Sequence, residues 1–115
     1  MVTPSPASIV VMPFPFSDLS GSKLRPVAVL ADVGRGDWLL CQITSNPYGD
    51  SNAIRITNAE LERGSLNMVS FVRPMKLFTA NESLMVKRVA ILNNKTFKTI
   101  LTVTIKELQK NLPSD

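Results

Sequence analysis

The stretch Leu24-Arg25-Pro26-Val27-Ala28-Val29-Leu30-Ala31, the turn Gly34-Arg35-Gly36-Asp37 and the run Trp38-Leu39-Leu40-Cys41-Gln42-Ile43-Thr44 decide the fold class. Arg25 precedes a proline, whose ring pushes the preceding backbone to the extended region, as at a strand start. Val27 to Ala31 is then an apolar run of strand length, and Gly34 to Asp37 is a turn by composition. Along Trp38–Thr44 the side chains alternate, with Leu39, Cys41 and Ile43 on one face and Leu40, Gln42 and Thr44 on the other. The second face grows more polar toward Thr44, as expected where a sheet opens onto a site.

Working outward, Ile9-Val10-Val11-Met12 reads as a short apolar strand ended by Pro13-Phe14-Pro15-Phe16, and Ser17 to Ser22 as a loop. Two prolines within small polar residues make 1–7 a flexible leader, so the domain is expected over 8–112. Downstream, Asn46-Pro47-Tyr48-Gly49-Asp50 is a turn or long loop, and Ala53 to Ile56 a short strand. Asn58 to Gly64 reads as one helical turn closed by its glycine. Met68 to Val72 is a strand that runs into a second Arg-Pro pair, Arg73-Pro74, and Leu84 to Leu92 is the next strand, broken by Lys87-Arg88. In the tail, Leu101, Val103 and Ile105 alternate as in a strand, whereas Phe97, Ile100, Leu101, Ile105, Leu108 and Leu112 fit helical spacing. Length and the closing Pro113 favour a helix over 95–111, with Asn94 as its N-cap. Six or seven short strands and one terminal helix predict a mainly β fold: a small, strongly bent antiparallel barrel with a helix packed across it.

A chain of 115 residues supports one hydrophobic core, and few aromatics mean that core is mostly Val, Ile and Leu. Thirteen basic against nine acidic residues give a net charge of +4, a mild excess that suits a nucleic-acid ligand and also suits many ordinary proteins. The one cysteine, Cys41, excludes an intramolecular disulfide and lies in an apolar run, where a buried inert thiol is expected; it points to a reducing compartment. With no histidine, the chain lacks the usual acid–base group of neutral pH and most zinc-binding patterns. No cofactor is expected. No run approaches the length of a membrane span and no basic N-terminal region precedes an apolar one, so the expected setting is soluble and cytoplasmic.

Phosphate chemistry is the residue-level suggestion. Arg25 has the planar fork that grips a phosphate, and Thr44 or Ser45 supplies a hydroxyl that donates to a phosphoryl oxygen, each where a strand meets its loop. By its residues alone Arg25 reads first as a surface arginine paired with Asp18, and Thr44 as a strand-edge threonine without a task.

Four stretches, in order and at their spacing, carry a resemblance. They are Ile9–Asp18, Gly21–Leu30 with Lys23-Leu24-Arg25-Pro26, Cys41-Gln42-Ile43-Thr44-Ser45, and Ser70-Phe71-Val72-Arg73-Pro74. Together they resemble the PemK/MazF family, the toxin halves of type II toxin–antitoxin pairs, across roughly 8–111. The resemblance implies an SH3-like barrel with a C-terminal helix, a homodimer, and a partner antitoxin that blocks the RNA groove and binds DNA with the toxin. It also implies cleavage of single-stranded RNA through the substrate 2′-hydroxyl, leaving 2′,3′-cyclic phosphate and 5′-hydroxyl ends. Three departures stand out: Ala7-Ser8 replace a common Gly-Asp, the first-loop histidine of some members is missing, and Ser70–Arg73 lacks the acid of others.

On that resemblance Arg25 stabilises the anionic phosphorane, and Thr44, with Ser45 as fallback, holds the scissile phosphate in line. Asp18 is the candidate general base. An ordinary aspartate is weakly basic at neutral pH, so that role requires burial to raise its pKa; a turn-forming aspartate is the competing reading. Lys23, Arg73 and Lys76 are candidates to line the RNA groove, and Phe16, like Phe14, to stack a base or to pack at the barrel mouth. Two alternatives stand beside the nuclease. One is a toxin of the same barrel acting by protein contact, as the CcdB gyrase inhibitors do. The other is a degenerate homologue that binds RNA or antitoxin without cutting.

Overall fold

The computed structural model describes residues 2–14 and 23–114. The strands are β1 (Ser8–Pro13), β2 (Leu24–Gly34), β3 (Asp37–Thr44), β4 (Ile54–Ile56), β5 (Leu61–Gly64), β6 (Ser70–Asn81) and β7 (Lys87–Leu92), followed by helix α1 (Asn94–Gln109). They form one curled antiparallel sheet in the order β4-β6-β3-β2-β1-β7-β5. A bent antiparallel sheet with one C-terminal helix is the expected architecture.

The central strands are apolar on both faces because each face meets its own cluster. Ile9, Ala28, Leu30, Cys41, Ile43 and Val72 point to the cluster that α1 closes with Ile100. Val10, Met12, Val27, Val29, Leu40 and Trp38 point the other way, where Phe14 and Met85 join them. This explains why Val27–Leu30 is an unbroken apolar run instead of an alternating one. Cys41 is fully buried, and that burial pushes its thiol pKa up to about 12, which leaves it inert. β2 and β3 meet in a two-residue turn, Arg35 (φ 58°) and Gly36 (φ 80°), whose left-handed backbone matches the twist of a hairpin.

Four expectations are corrected. Residues 2–7 do not stand apart from the domain: Pro4 is buried, the Ala7 amide donates to the Val29 carbonyl at 2.9 Å, and the Leu92 amide donates to the Ala7 carbonyl at 2.8 Å. Ala7 has φ 77°, a conformation that glycine adopts freely and alanine only under strain. Second, the strand entering Arg73-Pro74 does not stop there. β6 continues to Asn81 through an irregularity, its pairing with β3 jumping from Gln42–Arg73 to Cys41–Leu77. The displaced Pro74 is fully buried, and its carbonyl accepts the Thr104 hydroxyl of α1 at 3.5 Å.

Third, Asn58–Gly64 is not one helical turn. Thr57 and Glu60 form a capping box that starts a 3-10 turn over Asn58–Glu60, and Leu61 then leaves it to pair with Leu92 in β5. Fourth, the helix begins one residue early, with Asn93 as the cap accepting the Thr96 amide at 2.8 Å. The threonines that argued for a strand are accommodated inside the helix. Thr99 donates to the Lys95 carbonyl at 3.0 Å and Thr104 to the Ile100 carbonyl at 2.9 Å, so each hydroxyl finds an acceptor one turn back in the helix.

Gly64 lets β5 lie against β7. It has φ 80°, and a Cβ there would sit 2.2 Å from the Val89 carbonyl oxygen and 2.7 Å from the Ala90 Cα. Gly64→Ala is therefore expected to lose well over the ~1–2 kcal/mol of a left-handed alanine, because two backbones must also part. Gly49→Ala is the matched control: φ 75° with open space around it, so only the conformational cost remains. Urea unfolding of both variants checks this, and equal losses would contradict the close approach.

Candidate RNA-binding groove

A cavity of about 560 Å³ opens between the start of β2, the end of β3, the 65–69 loop and the start of β7. Val11, Pro26 and Ile43 line its floor. β1 lies between the two basic walls. Arg25 of β2 is opposite Met12, while Lys87 and Arg88 of β7 are opposite Val11 and Val10. All three cations are exposed and line the cavity, as do Thr44, Ser45, Ser65, Asn67 and Ser70, and among the described residues no lining residue is acidic. Three positive charges, hydroxyls and an apolar floor make a surface for a phosphate-bearing ligand with flat apolar groups.

Local chemistry holds each wall. Pro26 sits where β2 pairs with β1 alone, since pairing with β3 begins at Val27. A proline is tolerated in that part of a sheet, and it keeps Arg25 extended. Thr44 ends β3 and turns the chain: its hydroxyl donates to the Asn46 carbonyl at 3.1 Å and accepts the Asn46 amide at 3.2 Å. The 65–69 loop is tied back by the Leu66 amide donating to Asn58 Oδ1 at 2.8 Å.

Of the residues expected from sequence, Arg25, Thr44 and Ser45 come together in the groove. Lys23 is exposed just before β2, and Lys76 is exposed on β6; neither lines the cavity. Arg73 is also outside the lining and is ion-paired to Asp50 at 2.9 Å. Asp18 and Phe16 lie outside the described residues. Phe14 is buried in the second cluster, its ring edge-on to Phe78 at 5.3 Å between centroids, so packing claims it instead of base stacking. Sequence reasoning did not single out Lys87, Arg88, Ser65 and Asn67, which also line the cavity. Two adjacent cations opening an apolar strand were the available signal, and they read only as a break in it.

No protein-family model matches the chain, and no curated protein matches it by sequence. Solved structures do match. The toxin of a MazE–MazF complex from Deinococcus radiodurans superposes with a TM-score of 0.73 at 15% identity, covering 92% of this chain and 96% of that one. An endoribonuclease bound to its cognate antitoxin, from a mycobacterial species, gives 0.69 at 14% identity, covering 96% and 100%. The Mycobacterium tuberculosis toxin MazF-mt6 gives 0.68 at 16% identity, covering 89% and 96%. The chain has the MazF fold.

Proposed function

We propose that the chain is a PemK/MazF-type toxin: a homodimeric endoribonuclease that cuts single-stranded RNA through the substrate 2′-hydroxyl and is neutralised by an antitoxin. The observation that carries this reading is the convergence of Arg25, Thr44 and Ser45 in one cation-walled groove, on a fold shared with endoribonucleases. An antitoxin partner draws support from the neighbours solved as toxin–antitoxin complexes. Leu24 and Met68, 52% and 61% exposed on the groove's rim, offer apolar surface to a protein segment as well as to bases.

In this mechanism the 2′-oxygen loses its proton and attacks phosphorus, the bond to the 5′-oxygen breaks, and that oxygen takes a proton. Arg25 neutralises the non-bridging oxygens as charge grows on them. The Thr44 hydroxyl has one proton, now given to the Asn46 carbonyl. Moving it to a phosphate exchanges a neutral hydrogen bond of about 0.5–1.5 kcal/mol for a charged one of about 1.5–3, a favourable trade. Lys87 and Arg88 hold the chain of phosphates beside the scissile one. The base is assigned to Asp18, which belongs to the sequence joining β1 to β2. Leu24, the residue at which β2 begins, lines the groove.

The test is incubation of purified protein with mixed-sequence RNA, with and without EDTA, followed by end-group analysis. Cyclic phosphate and 5′-hydroxyl ends, formed equally in EDTA, are expected, because substrate oxygen and fixed cations do the work a metal would otherwise do. Ends bearing 5′-phosphate, or activity that EDTA removes and magnesium restores, contradict the mechanism.

A further inference from the structure

The connection from β3 to β4 carries a guanidinium clamp. β3 and β4 flank β6 on opposite sides, with Thr44 opposite Phe71 and Ile54 opposite Val72. Residues 45–53 must therefore cross one face of β6. Val72 is fully buried toward the first cluster, so its neighbours Phe71 and Arg73 point to the other face. There Arg73 Nε donates to Asp50 Oδ2 at 2.9 Å and its Nη1 donates to Gln42 Oε1 at 3.0 Å. The Arg73 and Asp50 side chains are only 21% and 14% exposed. Asp50 organises the rest of the crossing: its carboxylate accepts the Asn52 amide at 2.9 Å and its own amide donates to the Pro47 carbonyl at 3.0 Å. The Arg73 hydrogen bond, then the Asn52 amide, holds the Asp50 carboxyl below the usual carboxylate range, so the pair is charged at neutral pH.

We propose that Arg73 is a positioning residue that clamps the 45–53 crossover and thereby fixes where Thr44 and Ser45 present their hydroxyls to the substrate phosphate. The catalytic half of this rests on the nuclease reading; the clamp itself does not. An RNA-contacting Arg73 is the competing assignment, and charge argues against it. To reach a phosphate, Arg73 would leave a largely shielded carboxylate unpaired beside a polyanion, which is more costly than the exposed pairs of a protein surface.

Asp50 separates the two assignments, because a carboxylate has nothing to give a phosphate. Tyr48, the chain's one tyrosine, lies in the crossover and is 74% exposed, so 3-fluorotyrosine labelling gives one fluorine resonance that reports its state. The clamp predicts that Arg73→Ala and Asp50→Ala each shift that resonance and lower kcat by roughly 10- to 100-fold with KM unchanged. The double variant should be no worse than either single one. Arg73→Lys keeps the charge but loses the fork that also reaches Gln42, so it should fall between wild type and Arg73→Ala. The proposal is overturned if Asp50→Ala leaves kcat unchanged or tightens RNA binding. It is equally overturned if Arg73→Ala alone lowers the salt dependence of binding by about one phosphate contact. Should the wild-type protein cut no RNA, the nuclease reading fails and the fluorine spectrum decides the clamp by itself. A common shift in both alanine variants then supports it, and an unmoved resonance overturns it.

Discussion

Arg25→Ala is expected to lower the cleavage rate constant by ~10²–10³-fold, the loss seen when one donor to a developing oxyanion is removed. That factor corresponds to ~2.7–4 kcal/mol of transition-state stabilisation. The side chain is exposed at the start of β2 and outside both apolar clusters, so the variant should keep its core and its urea midpoint. Arg25→Lys should rescue poorly, since an ammonium keeps the charge without the planar fork. Thr44→Ala should cost less than Arg25→Ala, and Thr44→Ser should be nearly harmless because the hydroxyl and its turn with Asn46 survive. Combined, Arg25→Ala and Thr44→Ala should be less than additive if both grip one phosphate. A folded Arg25→Ala protein that cuts at the wild-type rate would move the search for the phosphate anchor to Lys87 and Arg88.

A 2′-deoxy substitution at the cleaved nucleotide should abolish turnover while binding persists. The groove's cations act on phosphates, which the substitution leaves intact, so the affinity and its salt dependence should barely change. The nucleophile, however, belongs to the substrate, and no positioning of Arg25 or Thr44 replaces it. Single-turnover cleavage beside equilibrium binding of the paired oligonucleotides measures both. Continued cutting of the deoxy substrate would mean that water attacks, and the assigned roles would need a water-activating base.

Most strands were legible because local rules act on them directly. The apolar run at Val27–Leu30, the turn at Gly34–Asp37 and the alternation along Trp38–Thr44 each carry their own signal, and each appears where expected. The misreadings share one cause. Pro74 looked like a strand end, yet β6 absorbs it by slipping register against β3 and giving its carbonyl to Thr104. Gly64 looked like a helix stop, yet it is glycine because Val89 and Ala90 lie too close for a Cβ. In both places a distant partner overruled the local preference.

By itself the sequence determined which segments are extended, that one helix follows them, that Cys41 is buried, that Arg25 stands at a strand start, and that Thr44 ends a strand. Those properties follow from proline sterics, side-chain alternation and helical spacing, all of which operate within a few residues. Tertiary structure alone decided which charges share the groove. Lys87 and Arg88 join Arg25 in the groove lining only because β1 is flanked by β2 and β7, and Arg73 is committed to Asp50 only because the crossover passes over β6. Strand neighbours and register are set by the burial of whole faces, which no short window of sequence contains.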